Sequence, residues 1–192
     1  MISFRKPTAE LIRRLSADQV GRDFTYTGVS GTATELPAGY VVDRNRALLG
    51  TGEGVFEAAK AALRRWEQFR FDWLEMATPQ TPIQTGQVAT VLAHLFGLWS
   101  LNFCRIVYVV DENGPVCRFG FAYGTLPDHM ESGEERFLIE WNRETGEVFY
   151  DILAFSKPQH LLARLGYPVV RRLQKKFARE SVAAMRRAVE AR

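Results

Sequence analysis

Apolar residues recur at helical spacing near both ends of the chain and at alternate positions through most of its middle. Leu11, Ile12 and Leu15 predict a short helix over 7–20, with Thr8 as its N-cap. Residues 23–29 alternate β-branched and aromatic side chains with polar ones, which predicts a strand. Gly28, Gly31, Pro37 and Gly39 interrupt the next stretch of chain, and 40–43 reads as a second, short strand. Phe56, Ala59, Leu63 and Trp66 form one stripe of a helix over 55–69. A short strand is expected at 71–76. Longer ones are expected at 88–96, 104–111, 116–123, 134–142 and 147–155.

Two hairpins can be placed in register. Asn113-Gly114 signals a two-residue turn. Pairing about it sets Val110 opposite Cys117, Tyr108 opposite Phe119, Ile106 opposite Phe121 and Cys104 opposite Tyr123, all on one face. Thr145-Gly146 marks the second turn. There Trp141 faces Val148, Ile139 faces Tyr150 and Phe137 faces Ile152. Arg118, Arg136, Glu140 and Asp151 fall on the opposite face. A curved antiparallel sheet with one covered side results.

The cover is C-terminal. A helical piece at 159–165 ends at Gly166, and Pro168 opens a long helix, where its missing N–H costs nothing. Val170, Leu173, Phe177, Ala184 and Ala188 form its apolar stripe. Roughly 24 residues at 1.5 Å each span about 36 Å, enough to cross the sheet. The fold class is therefore α+β. No repeat or linker divides the 192 residues, so one domain over 1–192, with a short N-terminal helical extension, is expected.

Charge changes the picture at one end. The net charge is +3, but 168–192 alone carries 8 Lys/Arg and 2 Asp/Glu, leaving 17 and 20 for the remainder. This basic helix is either a solvated face or a docking surface for an anionic partner. The 2 cysteines, Cys104 and Cys117, are too few for a disulfide scaffold. In the register above they lie about 20 Å apart, so two free thiols are expected. The N-terminus has no signal-like apolar run, and no apolar stretch is long enough to span a membrane. A cytoplasmic protein is expected.

Candidate chemistry is sparse. The Gly50-Thr-Gly-Glu-Gly54 run lacks dinucleotide-binding spacing, and no buried apolar strand leads into it. Nucleophile-elbow, Cys-His and zinc-clip patterns are missing, so no metal and no cofactor are implied. His94 sits in an apolar strand and His160 near a helix start. His129 lies in Asp128-His-Met-Glu131, followed by Gly133-Glu-Glu135. Imidazole and carboxylates on one loop can bind a divalent metal, though the spacing is no known metal signature, exchange protons, or simply solvate a turn, with Glu131 fixing the His129 tautomer.

The run Phe119-Gly-Phe-Ala-Tyr-Gly-Thr-Leu-Pro-Asp-His-Met-Glu-Ser-Gly-Glu-Glu-Arg-Phe137 is distinctive. With Trp66, Phe155-Ser-Lys-Pro158 and Gly166-Tyr-Pro168, it resembles a bacterial and plant family known only as a domain of unknown function, over roughly 26–185. At the fold level that family is similar to the START and birch-pollen-allergen superfamily, whose helix-grip fold wraps an antiparallel sheet around a long C-terminal helix. The resemblance implies a hydrophobic ligand between sheet and helix, or in some members an enzyme. The helix before the first strand departs from that pattern.

Three readings are open. The first is an intracellular binding module for a small apolar or amphipathic molecule, lined by Tyr108, Phe119, Phe121, Tyr123, Trp141, Tyr150, Leu173 and Phe177. The second is an enzyme in the same pocket, with Tyr123, His129 and Glu131 as catalytic candidates. The third is an interaction protein using the basic helix, for which nucleic acid is not expected to be the partner.

Overall fold

The computed structural model describes residues 1–159 and 166–191. The helical piece expected at 159–165, with His160, falls almost wholly outside them. Strands β1 (Ile2–Ser3), β2 (Val41–Thr51), β3 (Leu74–Met76), β4 (Val88–Leu95), β5 (Leu98–Glu112), β6 (Val116–Thr125), β7 (Glu131–Asn142) and β8 (Glu147–Pro158) form an 8-stranded sheet. Its order is β2-β8-β7-β6-β5-β4-β3, with β1 added alongside β5. Every pairing is antiparallel. The sheet curls around α3 (Tyr167–Glu190), a helix of 24 residues with proline in its first turn.

Alternation builds the two faces. On β7, Phe137, Ile139 and Trp141 enter the main core together with Val148, Tyr150 and Ile152 of β8. Trp141 pairs with Val148, Ile139 with Tyr150 and Phe137 with Ile152, the register that the Thr145-Gly146 turn predicts. The convex face carries charge instead. Asp151, fully buried, takes Arg136 at 2.9 Å and Arg44 at 3.1 Å.

The first hairpin departs from expectation. Its last pair is Glu112 with Arg118, so the loop exceeds two residues. Pro115 explains this: directly after Gly114, it has no N–H with which to close a tight turn. A second irregularity leaves Val107 between the pairs Ile106–Tyr123 and Tyr108–Ala122. The bulge reverses the facing of the strand beyond it. Tyr108 therefore lies on the convex face, its hydroxyl 2.7 Å from Thr32 Oγ1, and not opposite Phe119. Cys104 pairs with Thr125, eight residues along β6 from Cys117. That is about 26 Å at 3.3 Å per residue, and both thiols are free.

Two helices complete the layers. In α1 (Ala9–Ala17), Thr8 caps through its side chain, accepting from Leu11 N at 3.2 Å. Ile12 packs against Leu92, Leu101, Phe103 and Leu126 in a second core cluster. In α2 (Glu53–Arg64), Phe56, Ala59, Ala62 and Leu63 are buried against the main core. The helix expected to run on to residue 69 breaks at Trp66, which adopts a left-handed φ of 60°. A 3-10 turn, Glu67–Phe69, follows. Trp66 is held there because its indole N–H donates to the Thr81 carbonyl at 2.9 Å.

The strand expected at 23–29 does not form. This segment belongs to a loop on the convex face wrapped around Glu134. That carboxylate accepts from Tyr26 Oη at 2.7 Å, Ser30 N at 2.8 Å, Thr32 N at 3.0 Å and Thr32 Oγ1 at 2.5 Å. Within 23–29 itself, Thr25 N donates to the Thr125 carbonyl at 3.1 Å and Thr27 N to the Tyr40 hydroxyl at 3.4 Å, so these main-chain donors go to separate partners and build no ladder. Tyr26 lies so close over Gly124 that a β-carbon there would stand 2.2 Å from the phenolic oxygen.

Candidate functional site

One end of the concave face is filled and the other is open. At the filled end, Phe56 meets Trp141 with ring centres 5.7 Å apart, and Trp66 meets Phe121 edge-on at 5.0 Å. The Arg64 guanidinium lies 4.4 Å from the centre of the Phe119 ring. The Tyr150 hydroxyl is 2.9 Å from Ser181 Oγ on α3. The expected pocket residues Phe119, Phe121, Trp141 and Tyr150 are thus structural packing. They lie beneath α2, the 3-10 turn and the second half of α3, and none lines the cavity. Tyr108, on the convex face, does not line it either.

The open end holds a cavity of about 490 Å³ between the sheet and the first half of α3. Phe69, Trp73, Val91, Ile152, Leu173 and Phe177 give it apolar walls. Of the residues singled out in the sequence, Tyr123, His129, Glu131, Leu173 and Phe177 line it. Phe96, 81 % exposed, and Val169, 40 % exposed, stand at its rim.

A single row of cross-strand neighbours crosses the cavity floor: Tyr123, Glu135, Ala154 and Asp43, contributed by β6, β7, β8 and β2, and Ile106 of β5 continues the row into the packed core. Direct cross-strand neighbours share a face, so Tyr123 and Glu135 meet over this floor. The Tyr123 hydroxyl donates to Glu135 Oε2 at 2.8 Å. Burial pushes the Glu135 carboxyl up to about 8, with Glu131 and Asp43 adding to the effect and the Tyr123 hydrogen bond opposing it. Burial also raises the Tyr123 phenol well above its ordinary range, and the Glu135 charge raises it further. Glu135 is not among the residues singled out in the sequence, although the alternation running back from Trp141, Ile139 and Phe137 puts it on this face.

The other polar groups sit nearer the helix. Gln174 Nε2 donates to Glu131 Oε1 at 2.5 Å and to Ser156 Oγ at 3.1 Å. Burial raises the Glu131 carboxyl, and the Gln174 and Ser156 side chains oppose the rise. Arg171 pairs with Asp43 through both of its terminal nitrogens. His129 does not reach the Glu131 carboxylate through any hydrogen bond among the described residues. Its Nδ1 stands 3.0 Å from both the main-chain nitrogen and the main-chain oxygen of Glu131, so main chain occupies this nitrogen in either tautomer. Burial lowers its pKa to about 4, so the ring is neutral near neutral pH. His94, by contrast, stacks on Trp99 with ring centres 4.1 Å apart, away from this site. Among the described residues, no three His, Cys, Asp or Glu side chains are grouped to hold a metal ion.

A curled antiparallel sheet closed by a long C-terminal helix, with a cavity between them, defines a helix-grip protein. The same fold occurs in Ara h 8.0201, with a TM-score of 0.53 at 13% identity over 80% of this chain and 100% of that one. It occurs also in human STARD10, with a TM-score of 0.51 at 11% identity over 96% of this chain and 80% of that one. Residues 25–184 match the family described as Domain of unknown function (DUF1990), and the chain belongs to that family. A UPF0548 protein of Dictyostelium discoideum is 39% identical over 98% of this chain and 96% of its own length. One of Arabidopsis thaliana is 39% identical over 80% of this chain and 75% of its own. Among the described residues, no helix is long and apolar enough to cross a membrane.

Proposed function

We propose that this protein binds a small amphipathic molecule between the concave sheet face and α3, as one domain acting in the cytoplasm. One observation carries the reading: about 490 Å³ is left open in an interior otherwise filled by large aromatic side chains. Protein interiors close-pack unless something else occupies the space, and small-molecule sites begin at about 300 Å³. Apolar walls would take the body of the ligand, and the Tyr123–Glu135 pair with Glu131 and Gln174 would take its polar end. Two free, buried thiols suit a reducing compartment.

Other readings find less support. An enzyme in this cavity would rest on Tyr123 and Glu135 and not on His129, whose Nδ1 is occupied by main chain. An interaction surface on the basic helix loses Arg171 to Asp43, and Arg186 to the Leu48 carbonyl at 3.2 Å.

The test is uptake of an apolar fluorescent probe, together with native mass spectrometry of freshly purified protein. Ala154, on the floor row, is the residue to enlarge. Ala154→Phe should abolish uptake while leaving the unfolding midpoint close to that of the parent. No uptake by the parent, and no co-purified molecule, would remove the proposal.

A further inference from the structure

We infer that the molecule held in this cavity presents a protonated amine to Glu135, an inference that rests on the binding function just proposed. The charges around the cavity lead there. Asp43, Glu131 and Glu135 are carboxylates on its lining, Glu134 of the same lining spends its carboxylate on Tyr26, Ser30 and Thr32, and among the described residues Arg171 is a cation beside Asp43 and Glu131. Arg171 is consumed by Asp43, at 2.5 and 2.7 Å. His129 adds no charge, since its ring is neutral. Glu131 already takes the Gln174 amide. Glu135 is left with one donor among the described residues, the Tyr123 hydroxyl on Oε2, and its Oε1 has none.

A carboxylate desolvated on an apolar floor without a countercharge is costly, and the usual answer is to hold a proton. An ammonium group supplies the missing countercharge and up to three donors. Phe69, Trp73 and Phe177 line the same space, and aromatic faces attract cations as well. An anionic head group would meet carboxylates, and among the described residues the cations nearest to them are engaged: Arg171 by Asp43, and the Met1 ammonium beside His129 by the Leu101 and Asp128 carbonyls. A hydroxyl could donate one hydrogen bond but would leave the charge uncompensated.

Binding then exchanges one positive charge for another: the ammonium enters and the Glu135 proton leaves. The neighbouring groups keep their states. Tyr123 from β6, Cys104 from β5 and Tyr150 from β8 stay protonated, each pushed up by burial. Arg171 on α3 and Asp43 on β2 remain an ion pair, and His129 stays neutral. Glu131 on β7 keeps its Gln174 partner.

The experiment is calorimetric titration of the whole chain with a matched series: phenylbutylamine, phenylbutanol and phenylbutanoic acid. At about pH 7 the amine should bind at least roughly tenfold more tightly than the alcohol, and the acid should bind weakest. Titrations in buffers of different ionisation heat should show close to one proton released per amine bound. Glu135→Gln should lose both the preference and the release, binding amine and alcohol about equally, and a cooperative thermal unfolding transition shows that the variant is folded. Equal or tighter binding of the alcohol or acid overturns the inference, as does an amine preference that survives Glu135→Gln. So does uptake of an apolar probe with no binding of the amine, an outcome that leaves the cavity itself standing. Failure of every compound and of the probe removes the cavity function together with its ligand class.

Discussion

Arg171 of α3 grips both carboxylate oxygens of Asp43 on β2, at 2.5 and 2.7 Å, across 128 residues of chain. The pair is partly buried and stands where the helix meets the sheet edge beside the cavity. Two-point geometry is the stronger form of such a pair, yet partial exposure keeps its contribution near 1 kcal/mol. Arg171→Ala and Asp43→Asn should each lower stability by about that much, and the double variant by little more. Both should hasten probe release from the cavity. Chemical denaturation and stopped-flow fluorescence measure the two effects. Unchanged release would mean that the pair does not guard the opening.

The hydroxyls of Tyr150 and Ser181 tie the middle of α3 to β8 in a fully buried setting. Removing either partner strands the other, at about 1–3 kcal/mol. Tyr150→Phe and Ser181→Ala should each fall in that range, and the double variant should be clearly less unstable than the sum. Strict additivity in denaturant melts would argue against a direct bond.

Filled and open regions of the interface should answer differently to enlargement. Ala184 is 4 % exposed and packs under the filled half of α3. Ala184→Phe should cost roughly 1–3 kcal/mol by overpacking, whereas Ala154→Phe, facing the cavity, should cost little. Comparing the two unfolding midpoints checks the location of the empty space independently of any ligand.

Stability should fall as pH rises from about 6.5 to about 8. In that window the folded chain keeps a proton on Glu135, raised to about 8, that the unfolded chain has already lost at its ordinary value of 4.5. The folded state binds more protons, so raising the pH favours unfolding. His129 acts the other way, but lower down. Its folded value of about 4 lies below the ordinary 6.5, so its contribution is full above 6.5 and is lost as pH falls toward 4. The Glu135 loss extends over the whole interval from 4.5 to about 8 and offsets the His129 gain between about 4.5 and 6.5, so Glu135→Gln should flatten the profile between about 6.5 and 8 and steepen the rise below 6.5. A thermal-midpoint series across both limbs decides this; an unaltered upper limb in the variant would refute the assignment.

Much of this architecture is readable from period and turn chemistry, and the failures have identifiable causes. The β7–β8 hairpin follows from alternation about Thr145-Gly146, residue for residue. The β5–β6 hairpin does not, because Asn113-Gly114 looks like a two-residue turn until Pro115 is considered, and because nothing in the composition of Ile106-Val-Tyr108 announces a bulge. Residues 23–29 alternate like a strand, but Thr25 N bonds to the Thr125 carbonyl, Thr27 N to the Tyr40 hydroxyl and the Tyr26 hydroxyl to Glu134, three separate partners that make no ladder. Within the site, Tyr123, Glu131, Leu173 and Phe177 reach the cavity. Phe119, Phe121, Trp141 and Tyr150 do not, since apolar character says that a side chain turns inward but not whether another element lies over it. Glu135 is readable from parity alone. Its significance depends on burial, which sequence does not report.

The unpaired Val107 has a consequence for how this chain can change length. The two segments of β5 it separates run out of phase, one keeping Cys104 and Ile106 inward and the other turning Tyr108 toward Thr32. Deleting Val107 would remove the bulge and leave the pairs Ile106–Tyr123 and Tyr108–Ala122 facing as they do, whereas taking Val107 into the ladder would turn the Tyr108 ring from its place beside Thr32 into the aromatic interior. Adding or removing residues in the loop around Pro115 shifts only the outer segment, because the bulge absorbs the slip before it reaches Ile106. Variation in hairpin length is thereby insulated from the floor on which Tyr123 and Glu135 meet.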